Sequence, residues 1–250
     1  MHQHRFYLPP ADATGDQLQL DGREAHHAIH VLRLKRGDDI IVLDGAGNKL
    51  SCRIETVSRD ALSLRVTRRI TVPVLPCAIT LLVGVPKGKI IESIIQKSVE
   101  LGARQIVPLL TERVVTRLDE KERDRKREQW QMVAVEAVKQ CGAAWLPTVA
   151  APVTIEQFLA QPPSFDLSLV GSLQPERRHP REVLREFERK NDRRPRSVAV
   201  WIGPEGDFTL EELKAIQDAG ARPITLGNLT LRVETAAIYC LSILNHELNS

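Results

Sequence analysis

The spacing of apolar residues in the first part of the chain is typical of short strands. Asp39–Leu43 is a nearly continuous apolar run that ends in a glycine-rich turn. Ser51–Val57 and Ala61–Val66 alternate apolar and polar residues, which is the period of a strand with one buried face. Arg23–Leu34 can form one short helix between the strands. The segment up to about Ile70 is therefore predicted to be a small β-barrel.

After Pro73 and Pro76, which mark a boundary near residue 73, predicted strands alternate with predicted helices. The predicted strands are Ile79–Val85, Ile106–Leu110, Leu167–Val170, Val198–Ile202 and Ile224–Leu226. The predicted helices are Lys87–Leu101, Asp119–Gln140, Arg181–Lys190, one capped by Thr209 and Glu212, and Glu234–Glu247. This alternation predicts a parallel sheet with helices on both faces. The predicted class is thus α/β over residues 73–250, preceded by a small β-barrel over residues 1–72.

The charged residues indicate a possible function only where they form local clusters. Charged residues make up 27% of the 250 residues, but the formal net charge is only +3, so nucleic-acid binding does not follow from the total. Two groups of cations are candidates for phosphate contacts with RNA. They are Arg5, Arg33, Lys35 and Arg36 in or beside the barrel, and Lys87, Lys89, Lys97, Arg104 and Arg113 around the first helix of the larger domain.

Several classes of protein are disfavoured by what the chain lacks. The longest apolar stretch, Ala78–Val85, is too short to cross a bilayer, and no apolar leader follows Met1, so we expect a soluble cytoplasmic protein. The four cysteines are far apart and form no C-x-x-C pair. We expect all four to be small buried residues rather than zinc ligands or disulfides. The histidines of the first thirty residues match no set of metal ligands, so no metal is expected.

Two glycine-rich loops are the best candidates for a ligand site. Gly203-Pro204-Glu205-Gly206 follows one predicted strand, and the segment Leu226–Arg232 follows the last one. In open α/β sheets, ligands bind beyond the carboxyl ends of the strands, and glycine lets the backbone approach them closely. Other nucleotide motifs are absent. Gly84–Lys89 is one residue too short for a phosphate-binding loop, and Ile90 stands where that loop has Ser or Thr.

These loops, together with motifs over nearly the whole chain, resemble the bacterial family of 16S ribosomal RNA uridine-N3 methyltransferases, known as RsmE. The matching motifs are Trp201–Gly206, Leu226-Gly227, Leu231–Ala236, Arg5-Phe6, His27 with Val31–Arg33, Gln96–Gly102, Pro108, Thr111–Arg113 and Gln140. Each motif is weak alone, but the combination in this order is specific.

The resemblance implies a PUA-like barrel, then a SPOUT methyltransferase domain with a trefoil knot, in a homodimer. It implies S-adenosylmethionine as cofactor, no metal, and 16S ribosomal RNA or the small ribosomal subunit as partner. The cofactor residues that carry over are Val170, Gly171, Ile202, Gly203, Pro204, Glu205, Gly206, Leu226, Gly227 and Leu231. The chain departs from the family pattern at Asp207, where a second glycine is usual, at Leu229-Thr230, and at Ala143.

Methylation at N3 of uracil requires an unpaired base and loss of the N3 proton. We hypothesise that Arg232 stabilises the developing negative charge on uracil, and that Glu234 orients Arg232 or accepts the proton. Either residue could instead be structural, since Arg232 could contact a phosphate and Glu234 suits the start of a helix. Three other functions remain open: methylation of a ribose 2′-hydroxyl, RNA binding or ribosome assembly without catalysis, and a small-molecule enzyme.

Overall fold

In the computed structural model, which describes residues 3–113 and 118–250, the chain divides into two units. One contains the chain up to Val74 together with Val135–Leu146, and the other contains Leu75–Ala134 and Pro147–Ser250. The segment 135–146 includes the last turns of a long helix. The division of roles into an RNA-binding domain at residues 1–72 and a methyltransferase domain at residues 73–250 stays a prediction.

The first unit is built on a five-stranded sheet. Its strands are β1 Arg5–Tyr7, β2 Gln17–Leu20, β3 Asp39–Leu43, β4 Asn48–Val57 and β5 Leu62–Thr71, in the order β1-β3-β4-β5-β2. The pair β1–β3 is parallel, and the other pairs are antiparallel. Two register shifts between β4 and β5 help the sheet to curl. It closes as a half-barrel over Phe6, Leu20, Ile40, Leu50 and Leu64, so the predicted barrel is confirmed.

The predicted helix at 23–34 is also present, with an unexpected geometry. Helix α1, Gly22–His26, continues into a turn of π-helix over His27–Val31. The helix ends before Arg33, whose backbone is left-handed at φ 54°. Apolar spacing predicts where a helix lies, but it does not distinguish a π-helical turn from an α-helical one.

A charge cluster with little exposure to solvent joins helix α3, Glu120–Cys141, to helix α1. The Lys139 side chain is 8% exposed, and its Nζ lies 2.7 Å from Oε1 of Glu24 and 3.2 Å from Oε2 of Glu136. The other oxygen of Glu24 accepts a hydrogen bond from the Tyr7 amide. The Glu24 carboxylate, 16% exposed, therefore has Lys139 as its only salt-bridge partner among the described residues.

We expect Lys139→Ala to lower the free energy of unfolding by about 3 kcal/mol, because it leaves the Glu24 carboxylate poorly solvated and without a counterion. Urea unfolding followed by circular dichroism measures the change. Lys121→Ala is the matched control, since Lys121 is an exposed lysine near the other end of the same helix. If both variants unfold at the same urea concentration as the wild type, the cluster does not stabilise this unit.

The second unit contains a parallel sheet of seven strands. They are β6 Ala78–Gly84, β7 Gln105–Leu110, β8 Thr148–Val149, β9 Val153–Thr154, β10 Leu167–Gly171, β11 Ser197–Ile202 and β12 Arg222–Ile224, ordered β12-β10-β11-β6-β7-β8, with β9 also paired to β7. Its helices are α2 Ile90–Glu100, the first part of α3, α4 Ile155–Ala160, α5 Pro180–Asn191, α6 Leu210–Asp218 and α7 Val233–Asn249.

Both faces of this sheet are covered by helices. On one face Leu82, Val107, Val170 and Trp201 pack against side chains of α4 and α6. Phe158 of α4 meets the Trp201 ring edge to face, with centroids 5.3 Å apart. Helix α7 contacts β6 and β11 and contributes nothing to that cluster, so it covers the opposite face. The predicted α/β class with a parallel sheet is confirmed.

The last strand is shifted from its predicted position. The prediction placed it at Ile224–Leu226, but β12 ends at Ile224. The Thr225 amide donates to the carbonyl of Arg178, outside the named strands, and the Thr225 hydroxyl bonds with Gly227. The bond to Arg178 belongs to an isolated parallel bridge between Arg178 and Ile224, and the bonds to Gly227 start the loop that follows. The capping box of Thr209 and Glu212 is confirmed at the start of α6.

The cysteines differ from the expectation at one position. Cys52, Cys77 and Cys240 are buried, but Cys141, in the last turn of α3, is exposed. Burial raises the pKa of the Cys52 thiol to about 11, and it raises the pKa of Cys77 and of Cys240 to about 12.

Within the described ranges, no helix is long and apolar enough to cross a membrane, and no group of three or more potential metal ligands comes together.

Candidate active site

A tight turn at the carboxyl end of β11 forms the centre of the candidate site. The carbonyl of Pro204 accepts a hydrogen bond of 2.9 Å from the Asp207 amide, which closes the turn over Glu205 and Gly206. Asp207 has φ 60°, in the left-handed region that favours glycine. Asp is among the non-glycine residues that tolerate this region best, and its Oδ1 accepts from the Phe208 amide at 2.8 Å. This backbone angle explains why glycine suits the position and how aspartate can replace it.

Two glycines allow this turn to lie close to its neighbours. A Cβ atom on Gly203 would lie 2.7 Å from Oδ1 of Asp207 and 3.1 Å from the Phe208 nitrogen. A Cβ atom on Gly84, the last residue of β6, would lie 2.6 Å from the backbone nitrogen of Pro204 and 2.5 Å from its ring. The turn can therefore occupy its position only while both residues lack side chains.

The second loop connects β12 to helix α7. The Thr225 hydroxyl accepts from the Gly227 amide and donates to the Gly227 carbonyl, both at 3.2 Å. Gly227 has φ 115°, which only glycine adopts readily. The loop ends at Arg232, which is the N-cap residue of α7.

The two loops and the end of β10 enclose one pocket of about 610 Å³, including its open mouth, which is within the usual range for a small-molecule site. Eight of the ten residues predicted to bind the cofactor line it: Gly171, Ile202, Gly203, Pro204, Glu205, Leu226, Gly227 and Leu231. The other two do not. Val170 is fully buried beneath the sheet's helical layer, and Gly206 faces a different cavity.

Seven lining residues were not among the ten predicted to bind the cofactor, although two of them, Leu229 and Thr230, lie inside the candidate loop Leu226–Arg232. They are Ser172, Leu173, Asp207, Leu229, Thr230, Val233 and Ala236. Ser172 and Leu173 continue directly from predicted Gly171, so extending that strand end by two residues would have included them. Val233 and Ala236 are one helical turn apart at the start of α7, which is the spacing of neighbours on one helix face.

The pocket has the chemistry of a site for a positively charged ligand with a flat apolar ring. Ile202, Leu226 and Leu231 supply aliphatic walls. Two carboxylates, Glu205 and Asp207, also line it, whereas no lysine or arginine of the described residues does. S-adenosylmethionine carries a sulfonium, an ammonium group and an adenine ring, so these residues fit the cofactor that the resemblance implies.

The two predicted catalytic residues lie beside this pocket, at the start of α7. Arg232 is exposed, and it forms no salt bridge with any described residue. Glu234 is half-buried in the first helical turn, and no ion pair joins it to Arg232. The hypothesis that Glu234 orients Arg232 therefore has no support from a direct contact. A cation at a helix N-terminus opposes the helix dipole, so Arg232 is better placed for a bound anion than for stabilising the helix.

The cations predicted to bind RNA have different surroundings. Lys87, Lys89 and Arg113 line one cavity next to the turn at 203–206. Lys97 pairs with Glu100 at 2.9 Å, and Arg104 is exposed and also has an interaction partner. In the first unit, the Arg5 guanidinium donates to the carbonyls of Lys139 and Gln140 at the end of α3. The remaining three, Arg33, Lys35 and Arg36, are exposed.

Comparison with known proteins gives the family. Residues 73–245 match the family described as RNA methyltransferase domain, and residues 20–67 match the RNA methyltransferase PUA domain. The ribosomal RNA small subunit methyltransferase E of Bacillus subtilis is 32% identical over 231 residues, which are 91% of this chain and 89% of that protein. The protein of the same name from Mycobacterium bovis is 30% identical over 94% of this chain and 88% of its own length.

Solved structures agree with this result. A methyltransferase from Legionella pneumophila with bound S-adenosylmethionine is 31% identical and superposes with a TM-score of 0.86, covering 99% of this chain and 98% of that one. Ribosomal RNA small subunit methyltransferase E from Neisseria gonorrhoeae, bound to the same cofactor, is 27% identical with a TM-score of 0.84 and covers 98% of both chains.

The parallel sheet, the glycine-rich pocket at its carboxyl edge and the preceding half-barrel define an RNA methyltransferase of the SPOUT class. Within that class, the chain belongs to the ribosomal RNA small subunit methyltransferase E family.

Proposed function

We propose that this protein methylates N3 of one uridine in the 16S RNA of the small ribosomal subunit, with S-adenosylmethionine as methyl donor. The observation that carries the proposal is the pocket lined by Glu205 and Asp207, since it offers carboxylates and aliphatic walls to a cationic cofactor. Arg232, at the adjoining helix start, offers a cation to the other reactant. The names of the relatives and the cofactor in the two solved structures support the same reaction.

The pocket residues would bind the cofactor, and Arg232 and Glu234 would act on the uracil. When bound, the cofactor supplies a methyl group already activated by its sulfonium. Gly203, Gly227, Leu226 and Leu231, which line the pocket, would hold the cofactor, the glycines through their backbone groups and the leucines through apolar contact. As the N3 proton leaves, the uracil imide becomes anionic, and the guanidinium of Arg232 stabilises that charge. Glu234 is the predicted acceptor for the proton, either directly or through water.

Two other functions fit the same site less well. Methylation of a ribose 2′-hydroxyl would use the same cofactor pocket but a different acceptor atom. RNA binding without catalysis would leave no need for a pocket with two carboxylates beside a turn that requires Gly203. The acidic lining therefore favours an enzyme over a binding protein that has lost its cofactor.

The experiment is nucleoside analysis of 16S RNA, transcribed in vitro and assembled into small subunits, after incubation with the protein and isotopically labelled S-adenosylmethionine. We expect the label in 3-methyluridine at one position. A matched reaction with Arg232→Ala controls for contaminating enzymes. Label in a 2′-O-methylated nucleoside would replace the N3 assignment, and absence of label with RNA bound would favour the non-catalytic function.

The same proposal includes a homodimer that acts in the cytoplasm. Leu173, Leu229 and Tyr239 are 53%, 78% and 45% exposed, and the first two line the cofactor pocket. Large apolar side chains around a site are suited to burial against a second copy of the chain. Light scattering at micromolar concentration should give twice the chain mass of 28.0 kDa, and a Leu229→Asp variant should lower it.

A further inference from the structure

A second cavity lies on the other side of the turn at 203–206, and it is basic where the first pocket is acidic. It encloses about 1370 Å³, including its open mouth. Four cations line it: Lys87, Lys89, Arg113 and Lys126. They come from the loop after β6, the loop after β7 and helix α3, so three separate parts of the chain direct positive charge to one place.

The four cations outnumber the two acids that line the cavity, Glu92 and Glu205. Among the residues that the structure describes, none of the four forms a salt bridge. The two acids that line the cavity already accept hydrogen bonds from neutral donors, Glu205 from the Lys87 amide at 3.0 Å and Glu92 from Gln129 at 3.1 Å. Unpaired cations facing one cavity favour an anionic ligand.

The cavity is better suited to a phosphate than to a base. Its one aromatic side chain, Trp130, is only 3% exposed, and Nζ of Lys126 lies 5.7 Å from the centroid of its ring. A base therefore has no free aromatic face on which to stack. The amino end of helix α2 also borders the cavity, and its N-cap residue Lys89 makes no side-chain cap bond, so free backbone amides add to the attraction for an anion.

Two contacts link this cavity to the wall of the cofactor pocket. The Lys87 amide holds the Glu205 carboxylate, and Nη1 of Arg113 donates to the Gly206 carbonyl. Pro204 and Glu205 line both cavities. An anion that draws in Lys87 and Arg113 would therefore fix the turn on which the cofactor pocket depends. The guanidinium of Arg113 keeps further donors for that anion.

We propose that this cavity binds a backbone phosphate of the RNA substrate and that its occupation stabilises the turn at 203–206 for cofactor binding. The inference rests on the proposed function, because it takes ribosomal RNA as the partner. It assigns a defined site to Lys89 and Lys126, and it makes RNA affinity and cofactor affinity reciprocal, as any coupling between two sites must be.

The test uses a Lys89→Ala/Lys126→Ala variant and a Lys121→Ala/Lys214→Ala control. The control removes the same charge from exposed lysines outside the cavity. RNA affinity is measured with in vitro 16S transcript at several salt concentrations, and S-adenosylmethionine affinity is measured with and without that RNA. We expect the cavity variant to bind RNA about tenfold more weakly, with a salt slope smaller by about 0.7, since that is roughly the contribution of one phosphate contact on a single strand.

Without RNA, both variants should bind the cofactor as the wild type does. With RNA, the wild type and the control should bind it several-fold more tightly, and the cavity variant should not. If the two variants have equal RNA affinity and equal salt slope, the cavity does not bind an RNA phosphate. Saturable binding of inorganic phosphate in that case would mean that the cavity binds a free anion instead. Weaker RNA binding with the enhancement intact would overturn the link to the turn. A wild type that binds RNA without methylating it would instead refute the proposed function.

Discussion

A Gly84→Ala substitution is expected to lower the affinity for S-adenosylmethionine by at least about 100-fold, although Gly84 itself does not line the pocket. The added Cβ would lie 2.6 Å from the backbone nitrogen of Pro204 and 2.5 Å from its ring. Neither atom belongs to a flexible side chain, so the whole turn must move. Isothermal titration with the cofactor measures the loss.

The alternative explanation, general loss of stability, is tested with Ile79→Val. Ile79 is fully buried at the other end of the same strand, and its shortening should cost about 1 kcal/mol without touching the turn. We expect Ile79→Val to bind the cofactor normally, while Gly84→Ala stays folded by circular dichroism and does not bind. Normal binding by Gly84→Ala would mean that the turn tolerates displacement and that the pocket is not rigid.

Gly84 also illustrates what the sequence could not reveal. In the sequence it is the first residue of a failed phosphate-loop motif, Gly84–Lys89. Its importance depends on Pro204, 120 positions later, and on the parallel pairing of β6 with β11. Periodicity predicted both strands but contains no information about which strands become neighbours. A contact between their ends is therefore beyond a reading of local patterns.

The elements themselves were predictable where one face is buried and the pattern is long. Asp39–Leu43 has the predicted bounds, and α3 and α7 were found to within a residue or two at most of their ends. Short elements without a clear period, such as β8, β9 and α4, were missed. Motif resemblance, rather than periodicity, identified the cofactor loops, and eight of its ten residues meet in one pocket.

The distribution of charge between the two cavities was beyond the sequence for the same reason. Lys87 and Arg113 were predicted to bind RNA as members of a diffuse cluster that also contained Lys97 and Arg104. In the fold, Lys97 has its own partner in Glu100, whereas Lys126, from the predicted helix Asp119–Gln140, joins Lys87 and Arg113. Sequence gives the number of charges in a region, but only the fold decides which of them are left without a counterion.

An Arg232→Ala variant is expected to bind cofactor and RNA within a few-fold of the wild type but to methylate 10²–10³-fold more slowly, the effect of removing one preorganised charge-stabilising group. Arg232 does not line the cofactor pocket and forms no salt bridge within the described ranges, so its loss should leave the pocket intact. Single-turnover methylation with saturating cofactor measures the chemical step separately from binding. Arg185→Ala removes an exposed arginine on α5 and should methylate at the wild-type rate.

The dependence on pH separates charge stabilisation from simple positioning. If Arg232 stabilises the imide anion, its loss matters less as pH rises, because an increasing fraction of the uracil is already ionised in solution. The deficit of Arg232→Ala should therefore shrink between pH 7 and pH 9, and Arg232→Lys should recover part of the rate at every pH. A Glu234→Gln variant that keeps the wild-type pH profile would mean that the proton leaves to water, with Arg232 acting alone. A deficit of Arg232→Ala that is constant with pH would show instead that the guanidinium holds a phosphate, and the catalytic role would have to be given up.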